Sequence, residues 1–197
     1  MPDWSYRTLF RPALFRLPAA RARDLTLGLM ETLARLPLGP RVIDLLGHMR
    51  PPERLARTVS GITFPSPIGL GVGIDDNATA LSALARLGFG FIELGPITAE
   101  PVLPTRAIEL RSGQEAIWRS DPPANPGVEV IARRLARQGQ FVIPLVVRIG
   151  CRRDSTSENA TGECRLIINR LASHAAVFSL ATARDSTMST ALRSSSR

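Results

Sequence analysis

The stretch IGLGVGIDDNA, Ile68 to Ala78, gathers the residue types most suggestive of chemistry. Gly69, Gly71 and Gly73 alternate with apolar residues, the pattern of a buried strand whose backbone admits something at close range. The run discharges into Asp75 and Asp76, two adjacent negative charges at a strand's C-terminal end. Elsewhere the repertoire is narrow. All 25 basic residues are arginine, which excludes a Schiff base, a lysine general acid and a lysine phosphate clamp. No motif places His48 or His174 as a base. Cys151 and Cys164 match no zinc or redox spacing, so a reducing compartment is the default expectation.

The elements that must hold these residues fall into two groups. Between Leu17 and Leu36, Leu25, Leu29, Met30 and Leu33 follow the i, i+4, i+8 spacing of one helical face, with Arg16, Arg21, Arg23 and Arg35 around it. After Pro37-Leu38-Gly39-Pro40 a second short helix runs through Val42, Ile43, Leu45, Leu46 and Met49 and stops before Pro51-Pro52. Such helices can lie on a membrane surface or pack as an ordinary hairpin on their own domain, and spacing alone leaves both open.

From Thr58 the pattern changes. TVSGITF reads as a hairpin arm. Strands are expected at Ile68–Ile74, Phe89–Leu94, Phe141–Ile149 and Ala175–Ala181, and helices at Ala78–Arg86, Gly127–Gln138 and Ser157–Leu171. A long irregular Pro-rich segment follows the second strand. The alternation predicts a parallel α/β sheet with its functional loops at the strands' C-terminal ends. Residues 1–56 are thus read as an amphipathic helical extension, and residues 57–197 as the α/β unit with a frayed tail.

Composition sets further bounds. The chain is 44% hydrophobic and 21% charged, globular rather than disordered. A net charge of +8 favours anionic surfaces. Scattered arginines and few stacking aromatics argue against nucleic acid. Arginines interrupt the N-terminus too often for a signal peptide, and no stretch suits a bilayer span.

The residues then acquire a family likeness. Gly73-Ile74-Asp75-Asp76 and LGFGFIELGPIT, Leu87 to Thr98, resemble the G-[FL]-D-K and L-G-F-G-x-[IV]-E-x-G-T-[VI]-T segments of the quinone-linked (class 2) dihydroorotate dehydrogenases, with the same spacing between them. SGITFPSPIGL is similar to the family's G-[LV]-x-F-x-N-P-[VI]-G-L, EAIWRSDPPANPG to its I-N-R-x-G-F-N-N-x-G, and VVRIGCRRDST to its G-x-N-I-G-K-N-K-x-T. YRTLFRPALFRLPAARARDLTLGLM looks like the two-helix extension these enzymes set on the membrane to admit quinone. The resemblance implies the N-terminal portion of a (β/α)8 TIM barrel, FMN as cofactor, quinone as electron acceptor, and a peripheral place on the cytoplasmic side of the membrane. It assigns Val72, Gly73, Ile74, Asp75, Asp76, Gly95 and Arg148 to the flavin. Asp76, Trp118, Arg119 and Asn125 fall to the substrate, and Ser186 to the catalytic base. No metal is expected.

The departures from the family fall on the chemistry. Asp76 stands where the family has the lysine that touches flavin and substrate, Pro96 for a flavin-bonding threonine, and Trp118 and Arg148 for asparagines. Ala183 and Met188 replace two more. Opposite charges about 4 Å apart gain roughly 4 kcal/mol at an effective dielectric near 20, so reversing one sign swings the interaction by about twice that. Arg148 is the neighbouring cation expected to balance Asp76. A sheet of four strands would leave open edges and an apolar inner face (Val146, Val147, Ile149), to be covered by a partner, a second copy or the rest of a barrel. Three function classes follow: an inactive scaffold or subunit of this family, a working FMN and quinone enzyme, and a basic nucleic-acid binder.

Overall fold

The computed structural model describes residues 8, 11–47, 50–104, 108–111, 116–118, 124–151 and 157–180. A short helix α1 (Arg11–Leu14) precedes two longer ones, α2 (Ala19–Arg35) and α3 (Gly39–Gly47). An antiparallel hairpin follows, β1 (Arg57–Val59) with β2 (Ile62–Phe64), turning at Ser60 and Gly61, both in the left-handed region. The hairpin is where its alternation and Gly61 predict it.

The core is a parallel sheet. It comprises β3 (Ile92–Ile97), β6 (Leu145–Ile149) and β7 (Val177–Leu180), in the order β3-β6-β7. The helices α5 (Val128–Gln138) and α6 (Ser157–Leu171) connect these strands. On the far side of β3, Leu70 forms a single parallel bridge to Ile92. The predicted strand Ile68–Ile74 is therefore one paired residue, with backbone bonds from Gly90 N to Ile68 O, Leu70 N to Phe91 O and Glu93 N to Leu70 O. Gly73, past the bridge at Leu70, sits at φ 110° in the region that favours glycine. The helix predicted at Ala78–Arg86 shrinks to α4 (Leu81–Leu84). Its early positions are spent in a turn in which Ala78 takes φ 53°. Phe89–Leu94 shifts to Ile92–Ile97 and Phe141–Ile149 shortens to Leu145–Ile149; Ala175–Ala181 becomes Val177–Leu180, with Ala181 outside the described residues. The Pro-rich segment holds an unforeseen hairpin, β4 (Glu109–Arg111) with β5 (Ala116–Trp118).

Strand alternation sorts the two faces. Leu145, Val147 and Ile149 are buried against the helices together with Ile92, Leu94, Ile131, Leu135, Ile167 and Leu171. Register puts Val146 beside Glu93 and Val177, and Arg148 beside Ser179, on the opposite face. The inner face is thus not the apolar surface Val146, Val147 and Ile149 would have made. Only Val146 belongs to it, and a polar layer lies above.

The helical hairpin is anchored rather than free. Leu27 and Glu31 of α2 are buried, as is Ile43 of α3. The Arg86 guanidinium reaches both Asp44 oxygens at 3.1 Å. The leucines that periodicity picks out, Leu25 and Leu29, face outward with Leu36, Leu38, Val42 and Leu45.

Candidate functional site

Residues 72–76, 95–98 and 148–151 lie at the C-terminal ends of the parallel strands, where this architecture places its functional loops. Asp75 is buried, and its carboxylate accepts the backbone N–H groups of Thr79 at 2.8 Å and Ala80 at 2.7 Å. It fastens the turn that leads into α4. Burial pushes its carboxyl above the usual value; the two N–H bonds oppose this, Asp76 adds to the rise, and Arg134 opposes it.

Asp76 is buried as well and pairs with the Arg23 guanidinium of α2 at 3.8 Å. Arg148, the cation expected there, instead lies 3.6 Å from Glu93, whose Oε1 also accepts the Ser179 hydroxyl at 3.2 Å. One polar layer thus crosses β3, β6 and β7, and the acid–base balance at Asp76 comes from the helical extension. A sequence with 25 arginines gives no means of choosing this one; only the packing of α2 selects it.

A cavity of about 450 Å³ opens beside this pair, lined by Ala19 and Arg23 of α2, Val72, Gly73 and Ile74 of the glycine loop, and Ile108 and Ile117 at the β4–β5 hairpin. Val72, Gly73, Ile74 and Asp76 are therefore brought together. The apolar walls Ile108 and Ile117 carried no recognisable signal in the Pro-rich segment. A Cβ on Gly71 would meet nothing within 4 Å, so the backbone there is open to a close neighbour.

Gly95 serves a different contact. It sits at φ 140°, and a Cβ on it would lie 2.4 Å from the Arg148 carbonyl oxygen. Gly95 and Pro96 fall in the register shift between β3 and β6. Asn125 is buried, and its Oδ1 accepts the Thr98 hydroxyl at 2.9 Å and Gly127 N–H at 3.0 Å. Its backbone pairs both ways with Val102. Trp118 is the last residue of β5, paired with Glu109. Arg119 and Ser186 lie outside the described residues, as do Ala183 and Met188.

Cys151 and Cys164, unrelated by spacing, come to 3.6 Å between sulfurs where the end of β6 meets α6. Among the described residues no group of three or more His, Cys, Asp or Glu side chains is placed to hold a metal.

No family model matches the chain. A dihydroorotate dehydrogenase (quinone) of Chloroflexus aurantiacus is 37% identical over 180 residues, covering 89% of this chain and 49% of that protein. The chain belongs to the quinone-linked dihydroorotate dehydrogenase family. Proteins of the same name from Alkalilimnicola ehrlichii (38% over 158 residues, 79% of this chain and 45% of that one) and Xylella fastidiosa (35% over 169 residues, 83% and 46%) are similar to it as well. The chain spans about half the length of the curated dihydroorotate dehydrogenases it matches. In three dimensions it is similar to the crystal structure of Eimeria tenella DHODH in complex with ferulenol. The TM-score is 0.57 at 27% identity, over 71% of this chain and 41% of that one. The ligand-free form gives 0.55 at 26%, over 77% and 44%. The parallel α/β unit is accordingly a partial TIM-barrel fold.

Proposed function

We propose that this chain is a catalytically impaired dihydroorotate dehydrogenase-like polypeptide that sits peripherally on the cytoplasmic side of the membrane and serves as a scaffold or subunit. The observation that carries this reading is the contact of buried Asp76 with the half-buried Arg23 at 3.8 Å. An acid occupies the position the family resemblance gives to a cation, and the arginine beside it is shared between that acid at 3.8 Å and Asp24 at 3.4 Å. A flavin phosphate or an orotate carboxylate would meet an arginine already engaged by acids.

The residues present do not fit FMN. Gly71 leaves room for a flat ring, yet the groups that would hold its polar edge are missing. Pro96 has no N–H to donate, Asp76 is acidic, and Arg148 is engaged by Glu93 at 3.6 Å. No step through the flavin is therefore assigned. In the scaffold reading a protein partner or a second copy covers the inner face.

Purification of the chain and its visible spectrum test the reading. We expect no flavin band near about 450 nm and no dihydroorotate-dependent quinone reduction. Stoichiometric flavin on the isolated chain would overturn it. One observation favours the second reading, a working quinone-linked enzyme. The cavity between α2 and the glycine loop has walls of Val72, Ile74, Ile108 and Ile117, suited to a lipophilic quinone. In that case the same purification yields a yellow protein that reduces a quinone analogue.

A further inference from the structure

The chain has two cysteines, and the fold sets them side by side. Cys151 lies two residues past the end of β6 and is exposed; Cys164 lies mid-way along α6, half-buried against the core. Their sulfurs are 3.6 Å apart, in van der Waals contact. A disulfide requires about 2.05 Å, a closure that rotation of the exposed Cys151 side chain can supply. The core holds Cys164 in place, so its sulfur is a fixed target. No third ligand stands near enough to make the pair a metal site among the described residues. Neither sulfur contributes to the cavity or to the Asp76–Arg23 pair, so the inference is independent of whether a flavin binds.

We propose that Cys151 and Cys164 are a disulfide-forming pair, a modification site that staples the end of β6 to α6 under oxidising conditions. The oxidant is a low-molecular-weight disulfide. The Cys151 thiolate attacks one of its sulfurs, forming a mixed disulfide and releasing one small thiol. The Cys164 thiolate then attacks the Cys151 sulfur, forming the protein S–S bond and expelling the second small thiol. Two protein thiols are oxidised, one small disulfide is reduced, and the two cysteine protons end on the two released thiols. The cysteines are 13 positions apart, so the bond restrains an intervening loop that is otherwise free in the unfolded chain.

The full chain, treated with oxidised glutathione at mildly alkaline pH, blocked with iodoacetamide and digested with trypsin, tests this. Cleavage after arginine separates Ile149–Arg152 from Asp154–Arg165. We expect these two peptides joined, with an intact mass about 2 Da lower. Tm should rise by about 5–10 °C, reversed by dithiothreitol. In Cys164→Ser the reaction should stop at the mixed disulfide on Cys151. Three results would overturn the proposal: both cysteines remaining alkylated in the wild type, a persistent glutathione adduct on Cys151, or a link joining two chains.

Discussion

Asp75 and Asp76 are adjacent in the chain, yet each is satisfied by a different part of the molecule. Asp75 answers to two N–H groups of its own turn, at 2.8 and 2.7 Å. Its replacement by Ala should lower stability by about 1–2 kcal/mol in urea unfolding, the loss of a capping carboxylate. Asp75 also has a pH signature. Its folded carboxyl holds a proton more tightly than the ordinary value of 3.8 allows, because burial outweighs its bonds. Stability from this group is therefore full below 3.8 and falls as pH rises through the folded value. Across that window wild type should lose stability relative to the non-titrating Asp75→Asn, as measured by unfolding midpoints at stepped pH. Asp76 contacts Arg23 instead, and Arg23→Ala should lower stability by about 1 kcal/mol by leaving a buried carboxylate less compensated. Burial, then the hydrogen bond and charge of Cys164 and the charge of Glu163, push the Cys151 thiol up to about 11. Its alkylation should consequently be slow at neutral pH and quicken about tenfold per pH unit below that value.

At the scale of elements, close approach matters more than surface charge. Gly95→Ala forces a Cβ to within 2.4 Å of the Arg148 carbonyl in a left-handed conformation. The β3–β6 pairing should weaken by about 3 kcal/mol, read from the urea midpoint. The Glu129–Arg170 contact between α5 and α6, at 2.6 Å and in open water, predicts the reverse: Glu129→Gln should leave the midpoint unchanged. These elements also divide by legibility. The helices α5 and α6 match their periodicity almost to the residue, since their buried stripes (Val128, Ile131, Leu135; Ile167, Leu171) are local patterns. The glycine strand does not form as read, because alternation cannot reveal that Leu70 alone pairs or that Asp75 fastens the turn after it. The β4–β5 hairpin is too short, and too closely flanked by prolines, to show. Site contacts made across long separations, Arg23 to Asp76 and Cys151 to Cys164, depend on the packing of whole helices.

For the whole molecule, the helical extension faces two ways. Leu27 joins the core of the α/β unit and Asp44 accepts a bond from Arg86, while Leu25, Leu29, Leu38 and Leu45 stay exposed, the last at 66%. No helix among the described residues is long and apolar enough to cross a membrane. Exposed leucines amid arginines suit an anionic lipid surface instead. The chain should co-sediment with anionic vesicles, and Leu25→Asp with Leu29→Asp should reduce the bound fraction several-fold while far-UV circular dichroism stays unchanged. The Asn125 contacts carry a last consequence. One side-chain oxygen joins Thr98, at the end of β3, to Gly127, at the threshold of α5, while the backbone pairs with Val102 to shut the neck of the excursion between them. Ile108 and Ile117, which line the cavity beside α2, belong to the excursion closed by that pairing. A change of chain length between Val102 and Asn125 should therefore leave the junction of β3 with α5 in place, because both of its anchors lie outside the altered stretch.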